Sequence, residues 1–129
     1  MKLLADVNVL MALVWSNHVD HAKAREWWSG LGQNDGLATC AITELGFVRV
    51  SLQTSTAIDI AQLKACVADL RKAKPGHVFL TDTLGVDALP PWVKAAKQTT
   101  DGHLAALAEA HGATFVTFDA GIPGATVLK

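Results

Sequence analysis

The chain has 129 residues, of which 50% are hydrophobic and 18% are charged. This length and composition predict one folded domain over residues 1–129 and exclude a disordered chain. The 11 basic and 12 acidic residues give a formal charge of −1. Binding to nucleic acid would therefore need a local basic patch, because no positive field surrounds the whole molecule.

Two features of the chain bear on its cellular compartment. Cys40 and Cys66 are too few and too far apart for a disulfide framework or a zinc site, so we expect free, buried thiols. Met1-Lys2-Leu3-Leu4 resembles the start of a signal peptide, but polar residues interrupt the stretch that follows and no cleavage site is evident. No apolar run is long enough to cross a membrane. We therefore expect a cytoplasmic protein.

Strands and helices alternate along the predicted chain. Apolar, β-branched and aromatic runs predict strands at 2–5, 36–39, 77–80, 113–118 and 125–128. Helical spacing of apolar residues predicts helices over 21–31, from 43–44 to 52, from 55–56 to 74, over 92–97 and from 99 to 111, where Gly112 is a suitable left-handed stop. Residues 7–15 are apolar, and 81–91 are predicted as a loop. This alternation favours an α/β fold with a mainly parallel sheet of 4–5 strands.

Four acidic residues follow predicted strands or begin predicted helices. Asp6 and Asp119 each come directly after a strand, and Glu44 and Asp101 each lie at the start of a helix. In an open α/β sheet, strand ends and the adjacent helix starts meet in one crevice. The helix that begins near Asp101 leads through Gly112 into the strand that ends near Asp119, so these two acids should be neighbours. The sequence therefore predicts that all four carboxylates lie at one edge of the sheet.

Each acid also has an ordinary structural explanation. A carboxylate at a helix start is favoured by the helix dipole, which would account for Glu44 and Asp101, and Asp119 would suit the first position of a turn. Asp6 is harder to explain, since a carboxylate beside a buried strand is costly without a partner. The joint placement of the four favours a shared site, where a divalent cation would relieve their mutual repulsion.

The chemistry predicted for such a cluster is metal-assisted hydrolysis of a phosphodiester. Hard oxygen ligands suit Mg²⁺ or Mn²⁺ better than zinc, and two ions about 3.5–4 Å apart can activate water and stabilise the leaving oxygen. No histidines stand at the H-x-x-x-H spacing of many zinc sites. His103 lies two residues after Asp101 and would be placed to touch a substrate.

Several segments resemble those of the PIN-domain ribonucleases, in particular the small VapC-like toxins of toxin–antitoxin pairs. The resemblance rests on residues 3–10 (LLADVNVL), on Thr43-Glu44-Leu45 with Arg49, and on residues 100–108 (TDGHLAALA), continuing through 111–113 to 117–119. It implies a PIN-like α/β/α sandwich and an endoribonuclease that uses Mg²⁺ or Mn²⁺ to cleave RNA. A homodimer and a small antitoxin partner are implied as well.

The resemblance also assigns roles to individual residues. It places the metal-binding and catalytic acids at Asp6, Glu44, Asp101 and Asp119. Polar residues that support the site correspond to Asn8 and Thr117. Arg49 corresponds to a basic residue that contacts substrate phosphate or the antitoxin, although a solvated helix residue would explain it as well.

Two other functions are compatible with the acids. A haloacid-dehalogenase-like phosphotransferase would use Asp6 as its nucleophile, but that chemistry usually needs a second aspartate where Asn8 stands, and it gives Glu44 no role. A non-catalytic module would keep the fold only to bind RNA or protein, which intact acids at all four positions argue against. Four tryptophans are also compatible with either core packing or an interface: Trp15, Trp27, Trp28 and Trp92.

Overall fold

The computed structural model describes all 129 residues and is built on one parallel sheet. Its strands are β1 (Lys2–Ala5), β2 (Gly36–Thr39), β3 (Val78–Phe79), β4 (Thr114–Thr117) and β5 (Thr126–Val127). Their order is β3-β2-β1-β4-β5, and every neighbouring pair is parallel. The predicted α/β class with a parallel sheet is therefore confirmed. β1 is central, so its carboxyl end lies between those of β2 and β4.

Five helices connect and cover the strands. They are α1 (Val7–Val14), α2 (His21–Ser29), α3 (Ala41–Thr54), α4 (Ile60–Lys72) and α5 (Thr99–Ala110). Two short 3₁₀ turns, Val86–Ala88 and Ala96–Gln98, lie in the connection between β3 and α5. None of the helices combines the length and the apolarity that a membrane-spanning helix needs.

The sheet is covered on both faces, which gives the predicted α/β/α sandwich. Successive strand residues point to opposite faces, so Ala5 packs with α1 to α4 while Leu4 packs with α5. The four tryptophans belong to these two cores: Trp28 is buried, and Trp15, Trp27 and Trp92 are half-buried against them. Core packing therefore accounts for all four. Cys40 is buried, Cys66 is half-buried, and both thiols are free.

One helix was not predicted, and two predicted helix starts are wrong. The apolar stretch after Asp6 is helix α1, which has no polar face because its central residues are all buried. Helix α3 begins at Ala41, before Thr43-Glu44. Helix α4 begins at Ile60 instead of near 55–56, because Asp59 and Gln62 cap each other's backbone N–H groups at 2.8 and 2.9 Å.

The predicted helix over 92–97 is absent. The Gln98 side chain accepts hydrogen bonds from the backbone N–H groups of Lys94 and Ala95 at 2.8 and 3.0 Å, and Ala95 is extended. The expected hydroxyl cap of α5 is also absent, since the Thr99 hydroxyl donates to the carbonyl of Ala96 at 2.8 Å. Gly112 does have the predicted left-handed conformation, with φ of 66°.

Candidate active site

Three of the predicted acids are brought to the carboxyl edge of the sheet by β1, β4 and α5. Asp6 follows β1 directly, and its backbone N–H continues the pairing with β4 by donating to Val116 at 2.9 Å. Asp119 lies two residues beyond the end of β4. Asp101 is in the first turn of α5, which runs antiparallel to β4 after the Gly112 turn. The topology expected from the sequence therefore holds for Asp6, Asp101 and Asp119.

Burial and neighbouring negative charge both raise the pKa values of Asp6 and Asp101. Burial, together with the smaller effect of the negative charges of Asp6 and Asp119, raises the pKa of Asp101 to about 6. Burial also raises the pKa of Asp6, to which the charge of Asp119 adds, while hydrogen bonds from Val7 and Thr117 oppose the rise. Repulsion within the cluster therefore makes the fully ionised state costly. We call Asp6, Asp101 and Asp119 the three-aspartate cluster.

Thr117 connects two members of this cluster. Its hydroxyl donates to Asp6 Oδ2 at 3.0 Å and accepts from the backbone N–H of Asp119 at 3.1 Å. Thr117 is buried, which shields its hydroxyl from bulk solvent. Asp119 is held further by the Gly121 N–H, which donates to its Oδ1 at 2.8 Å. Thr117 therefore contacts both acids, and its supporting role stays a prediction. Asn8 is exposed in the first turn of α1 and forms no side-chain hydrogen bond.

Glu44 does not join the cluster, contrary to the expectation that all four acids meet. Its carboxylate accepts from the Thr39 hydroxyl at 2.6 Å and forms an ion pair with Arg71 of α4 at 2.6 Å. Its charge is not among the causes that raise the pKa values of Asp6 and Asp101. The Glu44 side chain instead points towards α4, where Arg71 holds it.

The opposite side of α3 faces the start of α5. Arg49 is exposed there and lines a groove of about 730 Å³ that also reaches Thr100, the neighbour of Asp101. Ile42, Leu45 and Gly46 line the same groove. Arg49 thus lies in a groove that extends to the start of α5, and its contact with a substrate stays a prediction.

His103 is bound to an acid that the sequence analysis missed. Its Nε2 lies 2.5 Å from Asp82 Oδ2, and the side chains of His103 and Asp82 are 16% and 20% exposed. Burial raises the pKa of Asp82, but hydrogen bonds from His103 and the Leu84 N–H outweigh this and hold it below its usual value. Asp82 lies three residues beyond the end of β3, so a search for acids directly after a strand does not find it. A role of His103 in contacting substrate stays a prediction.

The three-aspartate cluster has the donor chemistry of a Mg²⁺ or Mn²⁺ site. Carboxylate oxygens are the ligands these ions prefer, and a divalent charge would offset the repulsion that raises the pKa of Asp101. In the present arrangement no three histidine, cysteine or acidic side chains converge closely enough to share one ion. The donor types fit the metal, and the carboxylates would have to close around it.

The model of the PIN domain family matches residues 3–126. The chain belongs to the PIN domain family. Among its relatives is Ribonuclease VapC38 of Mycobacterium tuberculosis (strain ATCC 25618 / H37Rv), which is 45% identical over 123 residues, or 92% of this chain and 86% of the relative. Ribonuclease VapC39 of strain CDC 1551 / Oshkosh is 41% identical over 133 residues, covering 95% of this chain and 91% of the relative.

A solved structure supports the fold independently. The crystal structure of VapBC2 from Rickettsia felis bound to a DNA fragment from their promoter matches with a TM-score of 0.57. The match covers 98% of this chain and 97% of the other, at 16% sequence identity. At this identity the likeness concerns the arrangement of strands and helices. It confirms the PIN-like architecture of the sheet.

Proposed function

We propose that this protein is a Mg²⁺- or Mn²⁺-dependent endoribonuclease and the toxin of a toxin–antitoxin pair. The observation that carries the proposal is the three-aspartate cluster at the carboxyl edge of the sheet, where the pKa of Asp101 is raised to about 6. Membership of the PIN domain family and the similarity to the VapC ribonucleases support it. A site that had lost its catalytic activity would have no need to keep three mutually repelling carboxylates.

The aspartates would hold the ion, and the surrounding residues would fix them in place. When bound, a divalent ion supplies a water of lowered pKa and neutralises charge that develops on the phosphodiester. Thr117 keeps Asp6 Oδ2 and the Asp119 backbone in a defined relation. Asp101 is partly protonated near neutral pH without metal, so metal binding should release a proton from it.

Substrate contacts outside the cluster would come from Arg49. The formal charge of the chain is −1, so attraction of the RNA backbone depends on local cations and on the metal itself. Arg49 is exposed in the groove that reaches Thr100 and would pair with a phosphate next to the cleaved bond. In the resting complex it would instead contact the antitoxin.

A homodimer is part of the same proposal. Leu45 and Leu52 on α3 and Ile60 on α4 are exposed by 68%, 37% and 53%, which leaves an apolar surface across the two helices. Such a surface supports association with a second copy or with the antitoxin. Light scattering of the purified chain should give twice the monomer mass of 13.6 kDa, and a monomeric mass at micromolar concentration would contradict the dimer.

Cleavage assays on partner-free protein test the enzymatic proposal. Structured and unstructured RNAs are incubated with Mg²⁺, with Mn²⁺ and with EDTA, using the wild type, Asp6→Ala and Asp101→Asn. We expect cleavage only with metal and a loss of about 100-fold or more in both variants. Asp69→Asn removes an exposed acid of α4 and serves as the matched control. Cleavage in EDTA would contradict the proposal, and RNA binding without cleavage would favour the non-catalytic module.

A further inference from the structure

Glu44 is held by a polar network on the side of α3 that faces α4. The Arg71 guanidinium meets both carboxylate oxygens, with Nη2 at 2.6 Å from Oε1 and from Oε2 and Nε at 3.0 Å from Oε2. The Thr39 hydroxyl donates to Oε2 at 2.6 Å. The Glu44 side chain is only 17% exposed. A forked, partly buried pair of this kind is among the stronger charge-assisted contacts.

Two further contacts hold Arg71 and Thr39 in this arrangement. Thr39 has one hydroxyl proton and gives it to Glu44, so it accepts from His77, whose Nε2 lies 2.8 Å away and must carry the ring proton. The Arg71 guanidinium lies 5.5 Å from the centre of the Phe79 ring. The orientation of Glu44 is thus fixed by residues of α4, β2 and β3.

The start of α3 nevertheless packs beside the residue that follows Asp6, since a Cβ added at Gly46 would lie 2.6 Å from Val7 Cγ2. Glu44 is in the first turn of α3, which follows the carboxyl end of β2. β2 and β1 are parallel neighbours, with Ala38 paired to Leu4, so Asp6 emerges from the adjacent strand. Neighbouring strands are about 4.8 Å apart. What separates the Glu44 carboxylate from the aspartates is the direction of its side chain, and Arg71 sets that direction.

We propose that Arg71 is a positioning residue that withholds the Glu44 carboxylate from the metal site of the three aspartates. The inference rests on the metal site of the proposed function. An ion that recruits Glu44 must first break the fork with Arg71, so the pair lowers the affinity for the ion. Without Arg71, Glu44 becomes a fourth hard oxygen ligand and the affinity rises.

Mn²⁺ binding to the purified full chain tests this inference without reference to catalysis. Calorimetric titrations and Mn²⁺ electron paramagnetic resonance compare the wild type with Arg71→Gln, Glu44→Gln and the double variant. We expect about tenfold tighter binding for Arg71→Gln and a return to the wild-type value in the double variant. Lys72→Gln removes a cation that lies with Arg71 and Glu44 along the groove between α3 and α4, and it should change the affinity by less than about twofold. Circular dichroism confirms that each variant is folded.

The possible outcomes separate this inference from the proposed function. Unchanged or weaker Mn²⁺ binding by Arg71→Gln overturns the role of Arg71. If Mn²⁺ binding is also lost with Asp101→Asn, the metal site of the proposed function is still supported. Tighter binding that persists in the double variant also overturns it, because Glu44 would then not be the added ligand. Absence of Mn²⁺ binding in every variant overturns the metal site and this inference together.

Discussion

At the scale of single residues, Asp101 makes the stability of the metal-free protein depend on pH. Its pKa is raised from 3.8 to about 6 in the folded chain, so the folded state binds the proton more tightly than the unfolded state does. The free energy of unfolding should therefore fall as pH rises from about 4 through about 6. Because the group is partly exposed, solvent screening limits the effect to about 1 kcal/mol.

Urea unfolding in EDTA between pH 4.5 and 8 measures this dependence. Asp101→Asn cannot ionise, so it should flatten the profile and make the metal-free protein more stable than the wild type above pH 6. Asp69→Asn should leave the profile unchanged. A wild-type stability that rises with pH over this range would contradict the repulsion within the cluster, as would a loss of stability in Asp101→Asn.

Thr117 is the second residue whose role can be isolated. Thr117→Val keeps the shape of the side chain but removes the donor to Asp6 and the acceptor for the Asp119 N–H. We expect a loss of about 1–2 kcal/mol in the free energy of unfolding and of about 10- to 100-fold in RNA cleavage. Thr114→Val, in the same strand but without a side-chain hydrogen bond, is the control. Full activity of Thr117→Val would show that the hydroxyl does not support the site.

At the scale of elements, the loop before α5 packs so closely that it restricts one helix position. A Cβ at Gly102 would lie 2.2 Å from Val93 Cγ2. Gly→Ala in a helix ordinarily gains about 0.5–1 kcal/mol, but overpacking of this kind costs about 1–3 kcal/mol. We therefore expect Gly102→Ala to lower the free energy of unfolding.

A compensating substitution checks the cause of that loss. Val93→Ala creates space for the new methyl group, so the double variant should be more stable than Gly102→Ala alone when both are followed by chemical denaturation. Gly85→Ala serves as a control, since nothing lies within 4 Å of its added Cβ. A stabilising effect of Gly102→Ala would mean that the loop does not press on α5.

The bounds of strands and helices were predicted correctly where neighbouring residues in the sequence determine them. β1 and β2 have the expected bounds, because short apolar runs between polar residues leave little choice. Helix α1 could not be recognised from periodicity, because its own residues are apolar on nearly every side and form no amphipathic pattern. The start of α4 depends on the mutual capping of Asp59 and Gln62, which competes with an equally plausible start at 55–56. The helix expected over 92–97 does not form, because the Gln98 side chain accepts hydrogen bonds from the backbone N–H groups of Lys94 and Ala95.

At the scale of the whole molecule, topology explains why part of the site could be predicted. A parallel sheet places strand ends on one edge whatever their side chains do, so Asp6 and Asp119 were fixed by fold class, and Asp101 by the short turn into β4. The position of the Glu44 carboxylate was not fixed by the fold class, because the direction of this side chain depends on the partner that holds it. Its partner Arg71 is 27 residues away in sequence, and only the packing of α3 on α4 brings them together.

The measurement that tests the central claim most directly compares metal binding with catalysis in one titration. The RNA cleavage rate of the partner-free protein is followed as Mn²⁺ is added, and the midpoint is compared with that of Mn²⁺ binding at the same pH. If the three-aspartate cluster holds the catalytic ion, the two midpoints coincide in the wild type and both shift to higher Mn²⁺ in Asp101→Asn. Cleavage that proceeds before Mn²⁺ is bound, or that is unaffected by Asp101→Asn, would contradict the account.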